Sequence, residues 1–305
     1  MNTTSGKGGG SSRPTFYIMR RKPGDMGGLF AYYVFFAGQI CDALKKGYLP
    51  VVDMQNYPSI YLDPNLVGKE NAWEYYFRQP VGVTLEEAYN GENVLLASAH
   101  WIDGDERPGS GNAFFENTNG LLTEWRMLVK LGLLQVQPKL YEEIISLRNK
   151  LFAPNDRVLG VVLRGTDYLA RRPHGHYIQP PIEYALTKVI EKMNEWHCNK
   201  IFLASEDAKI IQTFKNIFQD TCVILDRIYI YYDEKNALPI ALYHIKREND
   251  PYLLGREYLS QVLILSTCNC LVAGRCGATI GAMMMGNFEN VYTFNFGKYG
   301  MIGID

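Results

Sequence analysis

The sequence comprises 305 residues, of which 47% are hydrophobic and 21% are charged, and its formal net charge is −1. This length allows two ordinary domains or one large one, and this composition supports a packed core and excludes wholesale disorder. The near-neutral charge argues against a general nucleic-acid-binding protein, although a local basic site is compatible with it.

The N-terminal 14 residues are rich in Gly, Ser and Thr, and we interpret them as a flexible arm outside the fold. The sequence shows neither a signal-peptide pattern nor an apolar run long enough to span a bilayer. We therefore expect a cytoplasmic protein, with peripheral attachment to the inner membrane left open. The six cysteines form no CxxC pair, and we expect them to be buried and reduced.

Strands and helices alternate in the predicted first half of the chain. A strand at residues 15–20, a Gly-rich turn, an apolar helix at 29–46 and a strand at 48–53 form one βαβ unit. An irregular aromatic segment follows, then a strand at 93–99, a loop at 103–120 and two helices. Pro154, Asn155 and Asp156 break the pattern, so we place a domain boundary there.

The second half repeats this rhythm more clearly. A continuous apolar run at residues 158–163 predicts a central parallel strand that is buried on both faces. A polar loop is predicted at 164–179 and another at 233–255. The remaining predicted strands are 200–204, 221–225, 269–273 and 291–294, and the predicted helices are 182–196, 208–218, 258–266 and 277–285.

A charged cluster follows the strand predicted at residues 158–163. Arg164, Thr166 and Asp167 stand where this strand ends, and open α/β sheets bind ligands at the carboxyl ends of their strands. Arginine keeps its charge and presents a planar fork of donors that matches a diphosphate. Asp167 is expected to support Arg164 or to accept from backbone amides. The alternative interpretation is a structural Arg–Asp ion pair beside a Thr turn.

Two further predicted strand ends carry polar residues. Ser205 and Asp207 follow the strand at residues 200–204, where each either caps the next helix or faces a ribose or base. The third end runs through Arg275 into a helix that starts at Gly277, and the amides and dipole of a helix start favour a phosphate oxygen. Three strand ends at one edge predict a single anionic ligand.

These segments resemble the motifs of the fucosyltransferase superfamily, which includes alpha-1,2, alpha-1,6 and protein O-fucosyltransferases. Residues 164–168 resemble the first motif, in which an arginine after a buried strand contacts the donor diphosphate. Residues 204–207 resemble a segment that faces the nucleotide. Residues 265–277 resemble the last motif, where small and hydroxyl residues at a helix start bind phosphate. Residues 24–29 are similar to a Gly-rich loop that precedes a helix.

The resemblance implies an α/β protein of the GT-B-like fold, with two Rossmann-like domains and an interdomain cleft. Residues 15–153 would form the acceptor-side domain and residues 154–305 the nucleotide-sugar-binding domain. The implied function is an inverting glycosyltransferase that moves fucose from GDP-fucose onto a glycan hydroxyl in polysaccharide biosynthesis, with no metal and no further cofactor. Arg164 would stabilise the leaving diphosphate.

An inverting transfer to a hydroxyl needs a general base, and Arg164 and Asp25 are accordingly the candidate catalytic residues. Asp25 lies in the Gly-rich loop, and the alternative for it is an ordinary turn aspartate. Further candidate bases are Asp103, Asp105, His174 and His176, either histidine being alternatively a sugar contact, and the pair His100–Trp101 is a candidate acceptor contact. The candidate substrate-binding residues are Gly27, Gly28, Thr166, Asp167, Tyr168, His174, Ser205, Asp207, Arg275, Cys276, Gly277, Ala278 and Thr279.

The sequence departs from the superfamily pattern at four places, one of which is residues 170–172, where the alpha-1,6 enzymes place a Glu. Val162 stands where the family often has His, Gly165 where it often has a second basic residue, and residues 275–277 where it usually has Ser-Ser. Arg171, Arg172 and Arg275 are candidates to supply the missing charge. Two alternatives stay open: a transferase that uses another nucleotide sugar, and a non-catalytic glycan- or nucleotide-binding protein. The absence of GxGxxG order disfavours a dinucleotide-dependent oxidoreductase.

Overall fold

A computed structural model describes residues 13–21, 27–97, 111–232 and 247–300. The strands are β1 (Thr15–Met19), β2 (Leu49–Val52), β3 (Asn93–Leu96), β4 (Val158–Val162), β5 (Lys200–Ala204), β6 (Cys222–Val223), β7 (Cys270–Ala273) and β8 (Asn290–Thr293). The helices are α1 (Leu29–Lys45), α2 (Leu85–Tyr89), α3 (Gly111–Glu116), α4 (Thr118–Lys130), α5 (Pro138–Leu151), α6 (Thr166–Arg171), α7 (Ile182–Glu195), α8 (Ala208–Phe218), α9 (Asp250–Leu265) and α10 (Gly277–Met285).

The strands form two parallel sheets, one in each half of the chain. The first has the order β2-β1-β3 and the second the order β6-β5-β4-β7-β8. All five residues of β4 are buried, as expected for an apolar strand that helices cover on both faces. The predicted fold class, α/β with two Rossmann-like halves, is confirmed. The domain boundary at residues 153–154 stays a prediction.

The order of the second sheet places a topological switch point between β4 and β7. From β4 the chain proceeds to β5 and β6 on one side, and it returns to β7 and β8 on the other. In sheets of this kind a crevice opens outside the carboxyl ends of the two strands at the switch point. Arg164 follows β4 and Gly274 follows β7, so the segments selected from the sequence flank this crevice.

Two predicted loops contain helices. Residues 111–120 were predicted as loop but form α3 and the start of α4, and residues 166–171 form α6. The polar loop predicted up to residue 255 is also wrong at its end, because α9 begins at Asp250 with Pro251 in its first turn. The polar and Gly-rich composition of these segments predicts loops, whereas the structure has helices there.

A short helix lies within the segment that was interpreted as irregular. Thr84 accepts a hydrogen bond from the amide of Glu87, and the Glu87 carboxylate accepts one from the Thr84 amide, which is a capping box at the start of α2. This signal is visible in the sequence as Thr-x-x-Glu. The five-residue length of α2 hides it from any search for helical periodicity.

The largest apolar cluster contains buried side chains from both halves. Helix α10 crosses α1 at close range, because a Cβ at Gly281 would overlap the Phe30 ring and one at Gly277 would press on the α1 backbone. At the other end of α10, Arg126 of α4 donates to the carbonyls of Met283 (2.8 Å) and Gly286 (2.7 Å). The two halves are therefore joined by a continuous core.

The six cysteines are buried free thiols, as predicted. Burial raises the pKa of the Cys222 thiol to about 11, which keeps it neutral at pH 7. None of the helices in the described parts of the chain is long and apolar enough to cross a membrane.

The close contact between Gly281 and Phe30 predicts that the effect of Gly281→Ala on the free energy of unfolding changes sign when the Phe30 ring is removed. Gly281→Ala alone should lower the free energy of unfolding by about 1–3 kcal/mol, because the added methyl group overpacks a closed core. In a Phe30→Leu background the same change should be neutral or stabilising, because alanine exceeds glycine in helix propensity by about 1 kcal/mol. Urea denaturation measures both, and an equal penalty in the two backgrounds would refute the close crossing.

Candidate active site

Arg164 lies immediately beyond β4, at the switch point, and is held by two carboxylates. Its Nε donates to Glu206 Oε1 (2.8 Å) and its Nη2 donates to Asp167 Oδ1 (3.2 Å). The guanidinium also stands 4.3 Å from the centre of the Tyr168 ring. Burial lowers the pKa of Arg164, but the charge of Glu206 and its other neighbours raises it well above its ordinary value. The residue therefore stays charged and fixed.

The ion pairs leave part of this guanidinium for a ligand. A guanidinium has five N–H groups, and within the described residues two of them are engaged. The Arg164 side chain is 18% exposed and lines a cavity of about 190 Å³, together with residues of α6 and α8. Pockets for whole cofactors measure roughly 300–1,000 Å³. The cavity is smaller than this, and the residues that line it all belong to the second half of the chain, outside β7 and α10.

The backbone after Arg164 turns tightly against the start of α8. A Cβ at Gly165 would overlap the carboxylate of Asp207, so only glycine fits there. Thr166 has a φ of +49°, which is unusual for a non-glycine residue. Its amide donates to Asp207 Oδ2 (3.0 Å), and its hydroxyl lies 3.0 Å from Glu206 Oε1. The approach of Asp207 explains physically why no second basic residue follows Arg164.

Asp207 and Ser205 have capping roles. Asp207 Oδ1 accepts from the amides of Lys209 (2.8 Å) and Ile210 (3.2 Å), and the Ser205 hydroxyl accepts from the Asp207 amide (3.2 Å). Both residues are buried. Of the two interpretations given for this strand end, helix capping is the one that these bonds support. Glu206, which was not a candidate, is the residue that reaches Arg164.

Tyr168 connects Arg164 to His176. The Tyr168 hydroxyl lies 3.0 Å from His176 Nδ1, and burial raises the pKa of Tyr168 to about 12. Burial, followed by the charge of Arg164, lowers the pKa of His176. His174 is exposed and packs against Gly300. The histidine that contacts the predicted motif is therefore His176 and not His174.

The start of α10 has no side-chain cap. Cys276 occupies the cap position, but its Sγ lies 3.5 Å from the Thr279 hydroxyl oxygen and accepts from no backbone amide of the first turn. The Thr279 hydroxyl donates to the Gly274 carbonyl and is fully buried, so it serves the turn itself. The guanidinium of Arg275 stands between the Phe115 and Tyr177 rings, at 5.3 and 5.2 Å from their centres. Arg275 thereby joins α3 to the second half.

Residues that the sequence analysis did not select also surround Arg164. The Tyr61 hydroxyl accepts from the amide of Leu29 (2.7 Å), the first residue of α1. Burial raises the pKa of Tyr61, whereas the charges of Arg164 and Arg227 lower it. Tyr258 lies in the same surroundings, since burial raises the pKa of its hydroxyl and the charge of Arg164 acts to lower it. The aromatic richness of residues 54–77 was visible in the sequence, but no periodicity pointed to Tyr61.

Gly28 is the cap residue of α1, with an extended backbone. A Cβ at this position would stand 3.5 Å from the Tyr258 ring, so the Gly-rich loop ends beside the surroundings of Arg164. The candidates Asp25, His100, Trp101, Asp103 and Asp105 lie outside the described residues. Among the residues that are described, no group of three His, Cys, Asp or Glu side chains is placed to hold a metal ion.

No protein-family model and no curated protein sequence matches this chain. Solved structures do match it in fold. A NodZ alpha-1,6-fucosyltransferase soaked with GDP-fucose aligns over 94% of this chain and 97% of its own, with a TM-score of 0.54 and 14% identity. The same enzyme co-crystallised with GDP aligns over 89% of this chain and 93% of its own, with a TM-score of 0.51 and 13% identity. A structure of NodZ from Bradyrhizobium aligns over 88% of this chain and 92% of its own, with a TM-score of 0.50 and 14% identity.

At these identities the likeness concerns the fold. It extends over nearly the whole of both chains, so it includes both sheets. The predicted resemblance to the fucosyltransferase superfamily is thus confirmed for the architecture, in which Arg164 occupies a strand end at the switch point.

The depressed pKa of His176 predicts a pH effect on stability. The unfolded chain binds a proton near the ordinary value of 6.5, whereas the folded chain binds it only at lower pH. The contribution of His176 is therefore present above about pH 6.5 and is lost as the pH falls through that region. Urea unfolding at pH 7.5 and 5.5 should show a smaller loss for His176→Gln than for the wild type. Equal losses would contradict the lowered pKa of this imidazole.

Proposed function

We propose that this chain is an inverting glycosyltransferase that transfers fucose from GDP-fucose to a hydroxyl group of a glycan. Support comes from the fold that it shares with the NodZ alpha-1,6-fucosyltransferase, whose structures were obtained with GDP and GDP-fucose. The single observation that carries the proposal is the position of Arg164, a buried and permanently charged guanidinium at the carboxyl end of β4 that lines a cavity.

The reaction breaks the bond between the anomeric carbon and the diphosphate oxygen, so negative charge develops on the leaving diphosphate. A guanidinium fixed before the reaction stabilises that charge without reorganising. Glu206, Asp167 and the Tyr168 ring orient Arg164, and its remaining N–H groups form a planar fork that suits two phosphate oxygens. In this proposal Arg164 supplies the positive charge, and no metal ion is invoked.

The acceptor hydroxyl attacks the anomeric carbon from the opposite face, which inverts the configuration, and its proton passes to a general base. We assign this role to Asp25, in the Gly-rich loop before α1. The described part of that loop supports the assignment, because Gly28 lies beside Tyr258 and Leu29 bonds Tyr61, both of which surround Arg164. The first half of the chain then contributes the acceptor side, and we place the reaction in the cytoplasm.

Replacement of Arg164 tests the proposal. Arg164→Gln should lower kcat for transfer from GDP-fucose by at least about 100-fold, the usual cost of one fixed charge-stabilising donor. Arg164→Lys keeps the charge but loses the planar fork, and it should retain more activity than the glutamine variant. Release of GDP measures turnover for both variants.

Arg148→Gln is the matched control, because it removes an arginine from the last turn of α5, a helix that contributes none of the residues described around Arg164. Melting temperatures identify variants that fail to fold, which matters because Arg164 neutralises two partly buried carboxylates. A folded Arg164→Gln protein with wild-type turnover would refute the role of Arg164. A wild-type protein that neither binds GDP nor transfers fucose would refute the function.

A further inference from the structure

A second charged cluster lies beyond the end of β6. Arg227 is 8% exposed, and its Nη1 donates to Gln261 Oε1 (2.9 Å). Its Nε lies 3.6 Å from Glu257 Oε2, which exceeds hydrogen-bond distance. Both atoms are buried, and neither has a hydrogen-bond partner among the described residues. A donor and an acceptor thus stand side by side without bonding to each other.

Buried polar atoms without partners are rare and unfavourable, so such a pair indicates a group that completes it. A hydroxyl group complements both atoms at once, since it accepts from Arg227 Nε–H and donates to the Glu257 carboxylate. A phosphate oxygen would satisfy only the donor, and an ammonium group would satisfy only the acceptor. The Glu257 side chain is 20% exposed as a whole, although its Oε2 atom is buried.

The charges around this pair also favour a neutral ligand group. Arg247 donates through Nη1 to Glu257 Oε1 (2.5 Å) and through Nε to Asp250 Oδ1 (2.7 Å). Two guanidinium groups therefore face two carboxylates, and Gln261 adds no charge. Bringing a further anion into a balanced and largely buried cluster would be unfavourable, whereas a hydroxyl brings no charge.

The cluster is connected to the surroundings of Arg164. Gln261, which accepts from Arg227, donates through Nε2 to the Ser205 carbonyl (3.3 Å), and the next residue, Glu206, holds Arg164. β5 lies directly between β4 and β6, so Arg164 and Arg227 follow strands on either side of it. One extended ligand at this edge of the sheet can contact both sites.

We propose that Arg227 and Glu257 form a subsite that binds a sugar hydroxyl of the nucleotide-sugar donor. The inference rests on the proposed function and deepens it. Arg164 holds the diphosphate, and the charge-balanced pair beyond β6 recognises a hydroxyl of a sugar attached to that diphosphate. The hydroxyl belongs either to the transferred fucose or to the ribose, and the two sources share the same chemistry.

Calorimetric titration of the full chain with GDP and with GDP-fucose separates the two sources. Glu257→Gln and Arg227→Gln should each weaken binding of the ligand that carries the hydroxyl by about tenfold or more, as expected for a hydrogen bond to a charged group. Glu143→Gln is the matched control, because it breaks the exposed ion pair with Arg256 on the same helix, α9, and leaves Arg227, Glu257 and their partners in place. Its affinities should stay within about twofold of the wild type.

Losses confined to GDP-fucose assign the hydroxyl to the transferred sugar. Equal losses for GDP and GDP-fucose that vanish with the corresponding deoxyribose nucleotide assign it to the ribose. Unchanged affinities in folded Glu257→Gln and Arg227→Gln overturn the inference, as do equal losses that persist with every deoxyribose nucleotide, since these indicate a structural role. If the wild type binds neither ligand, the proposed function fails first, so the two failures are distinguishable.

Discussion

The rest of the site depends on the contact between the Arg164 guanidinium and the Glu206 carboxylate, which links the carboxyl ends of β4 and β5. Glu206 also lies 3.0 Å from the Thr166 hydroxyl. The neighbouring carboxylate of Asp207 accepts a hydrogen bond from the Thr166 amide and caps α8. Two consecutive carboxylates thereby fix the strained turn after β4. This arrangement holds a positive charge beside a cavity before any ligand arrives, which is the condition for electrostatic stabilisation of a leaving group.

Much of this architecture follows from the sequence. Continuous apolar runs identify β4, β5 and β7, because strands covered on both faces need apolar residues throughout. Strand order then places the residues that follow them at a common edge. Helix starts that follow a clear sequence signal, such as Pro138 for α5 and Gly277 for α10, are also predictable. Arg164 was identifiable for the same reason, since a charged residue directly after a buried strand is conspicuous.

Asp167 was predicted as a partner of Arg164, but the other partners were less predictable, because they depend on tertiary contacts. Asp207 was noted as a potential ligand contact, yet its carboxylate is occupied by backbone amides, and the adjacent Glu206 supplies the ion pair. Tyr61 joins the site from an irregular segment of the first half, without any periodic signal. Arg227 follows β6, a strand that was predicted at residues 221–225, but the bond from Arg227 to Gln261 is a tertiary contact that no sequence pattern indicates. Sequence spacing therefore locates strand ends, and packing determines which side chains meet there.

A crystal structure of the chain with GDP tests the central claim most directly. The account predicts that oxygens of the diphosphate lie within hydrogen-bond distance of the Arg164 guanidinium, at the crevice between the ends of β4 and β7. Arg164 should keep its bond to Glu206 in that complex, because Glu206 accepts from Nε and the diphosphate would accept from other N–H groups of the same guanidinium. A diphosphate bound elsewhere, with Arg164 engaged only by Glu206 and Asp167, would contradict the account.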